Sequence, residues 1–310
     1  LGLPEFNPSN HLRFSGEVDG LAFGALNTVQ RHIKNTGDFN VQVRFNKLGL
    51  REDSDLSELG AKDFAVVGDS FSFGWGVAER ARFSEQSEKL SKRKFYNASS
   101  PAGALDHYSR MVDFLRAQGA TVNRVVVALN FETDVIPYQK TPKTETKVPE
   151  VVIDLQSIKT FLIKYSAAYF AVTSIAQQTP WLRDIAERLG LIRKNLADRS
   201  KHKPDRGAID QTVTRLGALA READATVMVI PSRHIWFGSD RSKVVRVYER
   251  FIRQAKDAGI NILDLRRAFE ATGNPLSLHF KNDAHWTPEG HGLAAKALYR
   301  HLQNRYGDAF

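Results

Sequence analysis

The chain has 310 residues, 42% hydrophobic and 25% charged, a balance that suits a globular protein with a sizeable core and argues against disorder or a fibrous repeat. It contains no cysteine, which excludes disulfides, thiolate metal sites and cysteine nucleophiles. A net charge of +9 favours polyanionic surroundings, yet no aromatic-basic motif for nucleic acid accompanies it, and no apolar run approaches the roughly 20 residues that cross a bilayer.

The chain begins at Leu1 rather than Met, so removal of an upstream piece is expected, for which a signal peptide or a membrane anchor is a candidate. Residues 1–60 read as an N-terminal extension packed on the core, with strand content in VQVRF. DFAVV (63–67) is the first short apolar run, and GDSFSFGWG follows it directly from Gly68 to Gly76. Glycines bend chains and serines fill turns, so a tight surface loop is one reading. A serine raised at the end of a strand to do chemistry is the other.

KFYNA (94–98) is a weaker second run and RVVVAL (124–129) a third. Between them HYSRMVDFLRAQG has helical periodicity and ends at Gly119, where helices commonly stop. A polar, proline-containing stretch and then mixed helical sequence predict a helical insertion at about 140–210. Its basic segment, Arg183 to Arg206, reads as a solvated helical face, with a lipid- or glycan-facing surface as the alternative. TVMVI (226–230) and NILDL (261–265) are the fourth and fifth runs, separated by a helical pattern ending at Gly259. The last element, TPEGHGLAAKALYRHLQNRYG, has Thr287 to cap it and Pro288 at the first helical position. Continuously apolar runs alternating with helices predict an α/β fold, a three-layer α/β/α sandwich around a parallel sheet of about five strands, with residues 61–310 as one domain.

In such a sheet ligands bind beyond the carboxyl ends of the strands, where the strand-to-helix loops converge. Those ends carry Ser70 after the first strand, Gly103 after the second, NFETD (130–134) after the third and PSRH (231–234) after the fourth. NDAHWTPEGH (282–291) precedes the final helix. Together they form the inventory of a serine hydrolase: nucleophile, oxyanion donors, base and orienter.

Gly68-Asp69-Ser70 after a first strand, with Asp-x-His-Trp before a final helix, resembles the SGNH (GDSL-type) hydrolases. FNKLGLRED (45–53) followed by VVGDSFSFGWGV is similar to a bacterial branch tied to envelope polysaccharides. The resemblance implies a flavodoxin-like sheet, Ser70 as nucleophile, His285 as base and Asp283 as its orienter. It implies oxyanion donors from the Ser70 and Gly103 backbone, and no cofactor or metal. The family's third motif supplies an asparagine to the oxyanion. Here Thr133 stands in its place, with Asn130 as a possible substitute. Asp283 lies two residues before His285, where most members have three. Residues two apart do not meet on a helix, so the pair must lie in a looped segment, as in the alginate-type acetyltransferases it resembles there.

Asp69 is expected to brace the serine loop at the edge of the substrate site. Trp75, Trp236 and Trp286 lie near the same edge as candidates to stack on a sugar, with core packing the default for each, and His234 is a candidate to line the pocket, with a plain loop residue as the other reading. His291 reads as a packing residue and Asp264 as a structural hydrogen-bonding group. The substrate that the resemblance implies is an O-acylated carbohydrate, with acetyl as the expected acyl group, in the periplasm or another extracytoplasmic space. Envelope or polysaccharide-biosynthesis proteins and peripheral membrane contact are possible partners, and nucleic acid is not. The same residues would serve an O-acetyltransferase or a lipid or thioester hydrolase, while Thr133 favours a catalytically impaired carbohydrate- or partner-binding module.

Overall fold

The computed structural model describes residues 12–18, 21–101, 103–135, 162, 166–189, 206–307 and 310. Two antiparallel hairpins come first. One joins β1 (Phe14–Val18) to β2 (Leu21–Gly24), the other β3 (Thr28–Ile33) to β4 (Asn40–Phe45). The five apolar runs then form β5 (Phe64–Gly68), β6 (Phe95–Asn97), β7 (Arg124–Asn130), β8 (Asp224–Ile230) and β9 (Ile262–Asp264). They pair in parallel in the order β6-β5-β7-β8-β9, the flavodoxin-like arrangement. Strands differ from the sequence expectation by one or two residues at their ends.

Helices cover both faces, as the lack of polar alternation in the strands requires. Ala65, Val67, Val125, Val127, Val227 and Val229 share one core with α3 (Leu105–Ala117), α7 (Arg206–Glu222) and α8 (Arg241–Asp257). Phe64, Val66, Val126 and Met228 share the other with α2 (Phe83–Ser91), α9 (Arg266–Glu270) and α10 (Pro288–Tyr306). Two one-turn helices, α1 (Ser70–Phe73) and α4 (Phe131–Asp134), open the loops after β5 and β7. Thr287 caps α10 as the sequence predicts, its hydroxyl accepting from the Gly290 N–H. Of the predicted insertion, α5 (Ala167–Gln178) and α6 (Pro180–Arg188) are described, with 140–161, 163–165 and 190–205 outside the described residues. Among the described residues no helix is long and apolar enough to cross a membrane.

The FNKLGLRED segment shows why it precedes the serine loop. Arg51 is buried and donates to the carbonyls of Phe73, Gly74 and Val77 at 3.1, 2.5 and 2.6 Å. Glu52 accepts from the Asn97 N–H at 2.8 Å, tying the same segment to β6. Arg82, also buried, returns a bond to the Arg51 carbonyl and is balanced by Glu79 and Glu85 at 2.8 Å. One guanidinium thus satisfies three carbonyls of a turn that has no sheet partner of its own. Replacing Arg51 with Met removes its donors from all three, leaving the Gly74 carbonyl only its bond from the Val77 N–H, so chemical denaturation is expected to show a loss of about 3 kcal/mol or more. A change within about 0.5 kcal/mol would contradict the assignment.

Two histidines are enclosed in the core beneath the site. His291 accepts from the Phe83 N–H at 3.3 Å, and His279 lies against Trp236 and Phe269. Burial, then Arg51 for His291 and Arg233 for His279, lowers each from the usual 6.5 to about 3. The folded protein therefore keeps both neutral, while the unfolded chain takes up protons below about pH 6.5. Stability from this source is complete above that pH and declines as pH falls toward 3, by about 2 kcal/mol per histidine at pH 5. A His291→Leu variant should accordingly lose about 2 kcal/mol less than wild type between pH 7 and 5. Parallel stability curves for the two proteins would rule this out.

Candidate active site

The Gly-Asp-Ser sequence is explained by the turn it makes. Gly68 ends β5 so close to β7 that a Cβ would sit 2.8 Å from the Ala128 carbonyl and 2.3 Å from Ser72 Oγ. The Asp69 carboxylate caps α1, accepting from the Phe71 N–H at 2.9 Å. Ser70 then occupies the first helical position, half-buried at the carboxyl edge of the sheet. The first-turn N–H groups of a helix have no acceptor within it. Asp69 takes that of Phe71, which leaves the Ser70 N–H directed off the helix start. Gly74 closes the turn at φ 83°, in the left-handed region.

His285 approaches from the loop before α10, 215 residues along the chain, and its Nε2 lies 2.7 Å from Ser70 Oγ. On the other side of the ring, Nδ1 is hydrogen-bonded to Asp283 Oδ1, and the His285 N–H donates to the same oxygen at 3.1 Å. Backbone and ring thus grip one carboxylate oxygen from a looped segment, which is how a two-residue spacing serves. Phe71 and Trp75 flank the imidazole, with ring centroids 4.9 and 5.7 Å away. Asp283 is buried, and burial pushes its carboxyl up. The hydrogen bond and charge of His285, and the ammonium of Lys34, more than offset this and hold the group well below the usual carboxylate range.

A second cluster lies below the serine. Asn130 Nδ2 donates to Asp69 Oδ2 at 2.8 Å, and the Asn130 side-chain carbonyl accepts from the Glu132 N–H at 3.0 Å. Thr133 Oγ1 lies 3.4 Å from both Asp69 Oδ2 and Asp134 Oδ1. Asp134 accepts from Tyr108 and from the Asn130 N–H at 2.8 Å. Burial, with Asp69 nearby, raises the Asp134 carboxyl well above the carboxylate range, and burial raises Asp69 as well.

Several expected roles change. The Gly103 N–H donates to the Ser100 carbonyl at 2.9 Å, closing a turn, so it is not a free oxyanion donor here. Asn130 is turned to Asp69 and Glu132 and braces the loop instead of presenting its amide to a substrate. Asp69 is buried and taken up by the cap and by Asn130, which removes it from the substrate-contacting set. Trp286 is 0% exposed, edge-on to Phe71 and His291, and belongs to the core. His234 is buried against Phe237, with Ser232 Oγ 3.3 Å and Glu132 Oε1 3.6 Å from its Nδ1. Of the expected pocket-lining residues, only Trp75 keeps an exposed edge beside the imidazole. Asp264 accepts from Tyr248 at 2.5 Å and from the Arg266 N–H, away from the serine loop.

The site also contains residues that the motifs do not reveal. Lys34 donates to Asp283 Oδ2 at 2.7 Å, and Arg233 to the Asp283 carbonyl at 3.1 Å. The sequence places Arg233, in PSRH, at the edge where the strands end, and gives no such signal for Lys34. Among the described residues no group of three or more His, Asp or Glu is arranged to hold a metal ion.

Residues 218–309 match the family model described as SGNH hydrolase-like domain, acetyltransferase AlgX. No curated protein sequence matches the chain. Among solved structures, a member of the lipolytic protein G-D-S-L family from Veillonella parvula DSM 2008 aligns at 11% identity and TM-score 0.42, over 77% of this chain and 96% of that one. The acetylxylan esterase Axe2 from Geobacillus stearothermophilus aligns at 12% identity and TM-score 0.41, over 79% of this chain and 96% of that one. The resemblance carried by the short motifs thus meets a family-level match over the last third of the sequence: residues 218–309 are similar to an SGNH hydrolase-like domain.

Proposed function

We propose that the protein is a serine esterase that removes O-acyl groups, acetyl above all, from an extracytoplasmic carbohydrate, with Ser70 as nucleophile, His285 as general base and Asp283 as orienter. The observation that carries this reading is the unbroken chain from Ser70 Oγ to His285 Nε2 at 2.7 Å and on from Nδ1 to the Asp283 carboxylate. A hydroxyl becomes a competent nucleophile when an adjacent base can take its proton, and the carboxylate fixes the ring and stabilises the imidazolium that forms.

The chemistry follows from those positions. Ser70 Oγ bonds to the ester carbonyl carbon while its proton passes to His285 Nε2. The carbonyl electrons move onto oxygen, held by the Ser70 N–H and, after a rotation of its side chain, by the Thr133 hydroxyl. Collapse breaks the bond to the sugar oxygen, which leaves with the proton from His285. Water then attacks the acyl-serine, gives a proton to His285 and releases the carboxylic acid and the free Ser70 hydroxyl. With Gly103 and Asn130 otherwise bonded, the oxyanion has fewer donors than the family norm. Each missing donor costs about 10²–10³ in rate, so this is a slow site rather than a dead one.

The acetyl assignment is supported by the acetyltransferase description of the matching family model, and the carbohydrate assignment by the net charge of +9, which suits an acidic polysaccharide. The same match favours a second reading, in which a sugar hydroxyl in place of water accepts the acyl group from Ser70. A periplasmic or other extracytoplasmic location accords with such a substrate, and envelope polysaccharide proteins would be its partners.

Wild-type protein is expected to be labelled by a fluorophosphonate probe, to release acetate from an acetylated oligosaccharide, and to prefer p-nitrophenyl acetate to the octanoate. Ser70→Ala should abolish labelling and slow hydrolysis by at least about 1,000-fold. An unlabelled wild type that still binds oligosaccharide would replace this proposal with a binding module. Acetyl transfer to an added oligosaccharide in excess of hydrolysis would select the second reading.

A further inference from the structure

The β3–β4 turn reaches the catalytic loop from the opposite end of the sequence. Its own backbone is closed on itself: the Lys34 N–H donates to Phe39 O and the Gly37 N–H to Lys34 O, both at 3.0 Å. The turn is anchored by apolar contact, since Phe39 is buried against His32 and Phe280 with ring centroids 4.7 and 5.3 Å away. His32 in turn meets Trp75 at 4.4 Å, and Val43 and Phe45 form a small core with Phe73 of the serine loop. From this base two residues of the turn, Asp38 and Lys34, make polar contacts with the loop bearing the base. Asp38 Oδ1 accepts from the Asn282 N–H at 3.1 Å, and Lys34 Nζ donates to Asp283 Oδ2 at 2.7 Å. Lys34 and His285 therefore hold different oxygens of one carboxylate.

We propose that Lys34 is a positioning residue of this site, holding Asp283 by Oδ2 so that Oδ1 is presented to His285 Nδ1, and that the N-terminal hairpin is thereby part of the catalytic apparatus. The proposal rests on the roles assigned to Ser70, His285 and Asp283 above. A carboxylate free to rotate can offer either oxygen at any angle, and about 1 Å of misplacement in a catalytic group costs up to 100-fold in rate. The ammonium fixes Oδ2 and leaves Oδ1 to the backbone N–H and ring of His285. It also keeps the buried carboxylate ionised without placing a cation against the imidazole itself. Other charged or titratable groups facing the pair are Arg233, bonded to the Asp283 carbonyl, Asp69 beneath the serine, and the neutral His279 and His291. None of them bonds to a carboxylate oxygen of Asp283 in the described structure, so beyond the two bonds from His285 it is Lys34 that sets the rotation of the carboxylate.

The test compares wild type, Lys34→Met, Lys34→Arg and Ser70→Ala, using p-nitrophenyl acetate turnover across pH together with the NMR titration of the His285 ring. Lys34 is a partly exposed turn residue, and Lys34→Arg keeps the charge should Lys34→Met unfold. Removing the cation leaves an uncompensated carboxylate beside the imidazole and favours its protonated form. Lys34→Met is thus expected to titrate His285 at higher pH, move the acid limb of kcat/KM the same way, and lower kcat between about 10- and 100-fold with little change in KM. Lys34→Arg should restore most of kcat and the wild-type titration. A Lys34→Met protein whose His285 titrates as in wild type overturns the proposal, whatever its turnover. Undiminished hydrolysis by Ser70→Ala would instead remove the assigned reaction, and the His285 titration would still decide the role of Lys34.

Discussion

A carboxylate that is buried must be compensated, and how it is compensated determines what it can do. Asp283 has 7% of its side chain exposed and meets a cation or hydrogen-bond donor on each oxygen. His285 takes one and Lys34 the other. The His285 backbone N–H holds the same oxygen as its ring, and the imidazole cannot swing away without giving up both of its ring bonds, to Asp283 Oδ1 and Ser70 Oγ. The remaining ring nitrogen is then left at hydrogen-bonding distance from Ser70, and the reactivity proposed for the serine depends on that placement.

The sheet makes such a meeting possible. Its order brings the ends of β5 and β7 side by side at the centre, where topology opens a crevice. One-turn helices at both ends, α1 and α4, are capped by side chains of their own loops, Asp69 and Asn130, and the two caps are hydrogen-bonded to each other. The floor of the site is thus a closed polar network between two adjacent strands. Arg51 stiffens the far side of the serine loop by satisfying its carbonyls, and Arg82 holds the Arg51 carbonyl in turn. Rigid support on both sides suits a site whose oxyanion donors are few, because it has little reorganisation to spare.

Much of this was legible in the sequence. Continuous apolar runs such as RVVVAL and TVMVI could only be strands buried on both faces, and the parallel sheet followed. GDS and DAHW were readable because their chemistry depends on residues adjacent in the chain: a cap beside a nucleophile, an orienter beside a base. What stayed hidden depends on contacts distant in sequence or on backbone orientation. Lys34 lies 249 residues from Asp283, and nothing in HIKNTGDF marks it as different from a solvated lysine. The direction of the Gly103 N–H is set by a turn back to Ser100, which its sequence does not disclose. Trp286 follows the base directly, yet the loop geometry that turns His285 toward the serine sends its neighbour into the core. His234 likewise sits after a strand as a pocket residue would, but Ser232 and Phe237 draw it inward.

The central claim is that Ser70 becomes covalently acylated through His285. Its most direct test is mass spectrometry of the intact protein and its peptides, quenched in acid shortly after mixing with p-nitrophenyl acetate. One acetyl group on the peptide containing Ser70, accumulating in wild type and missing in His285→Ala, is the predicted result. Ongoing hydrolysis with no acetyl group on that peptide, or acetylation of Ser70 undiminished without the imidazole, would contradict the account.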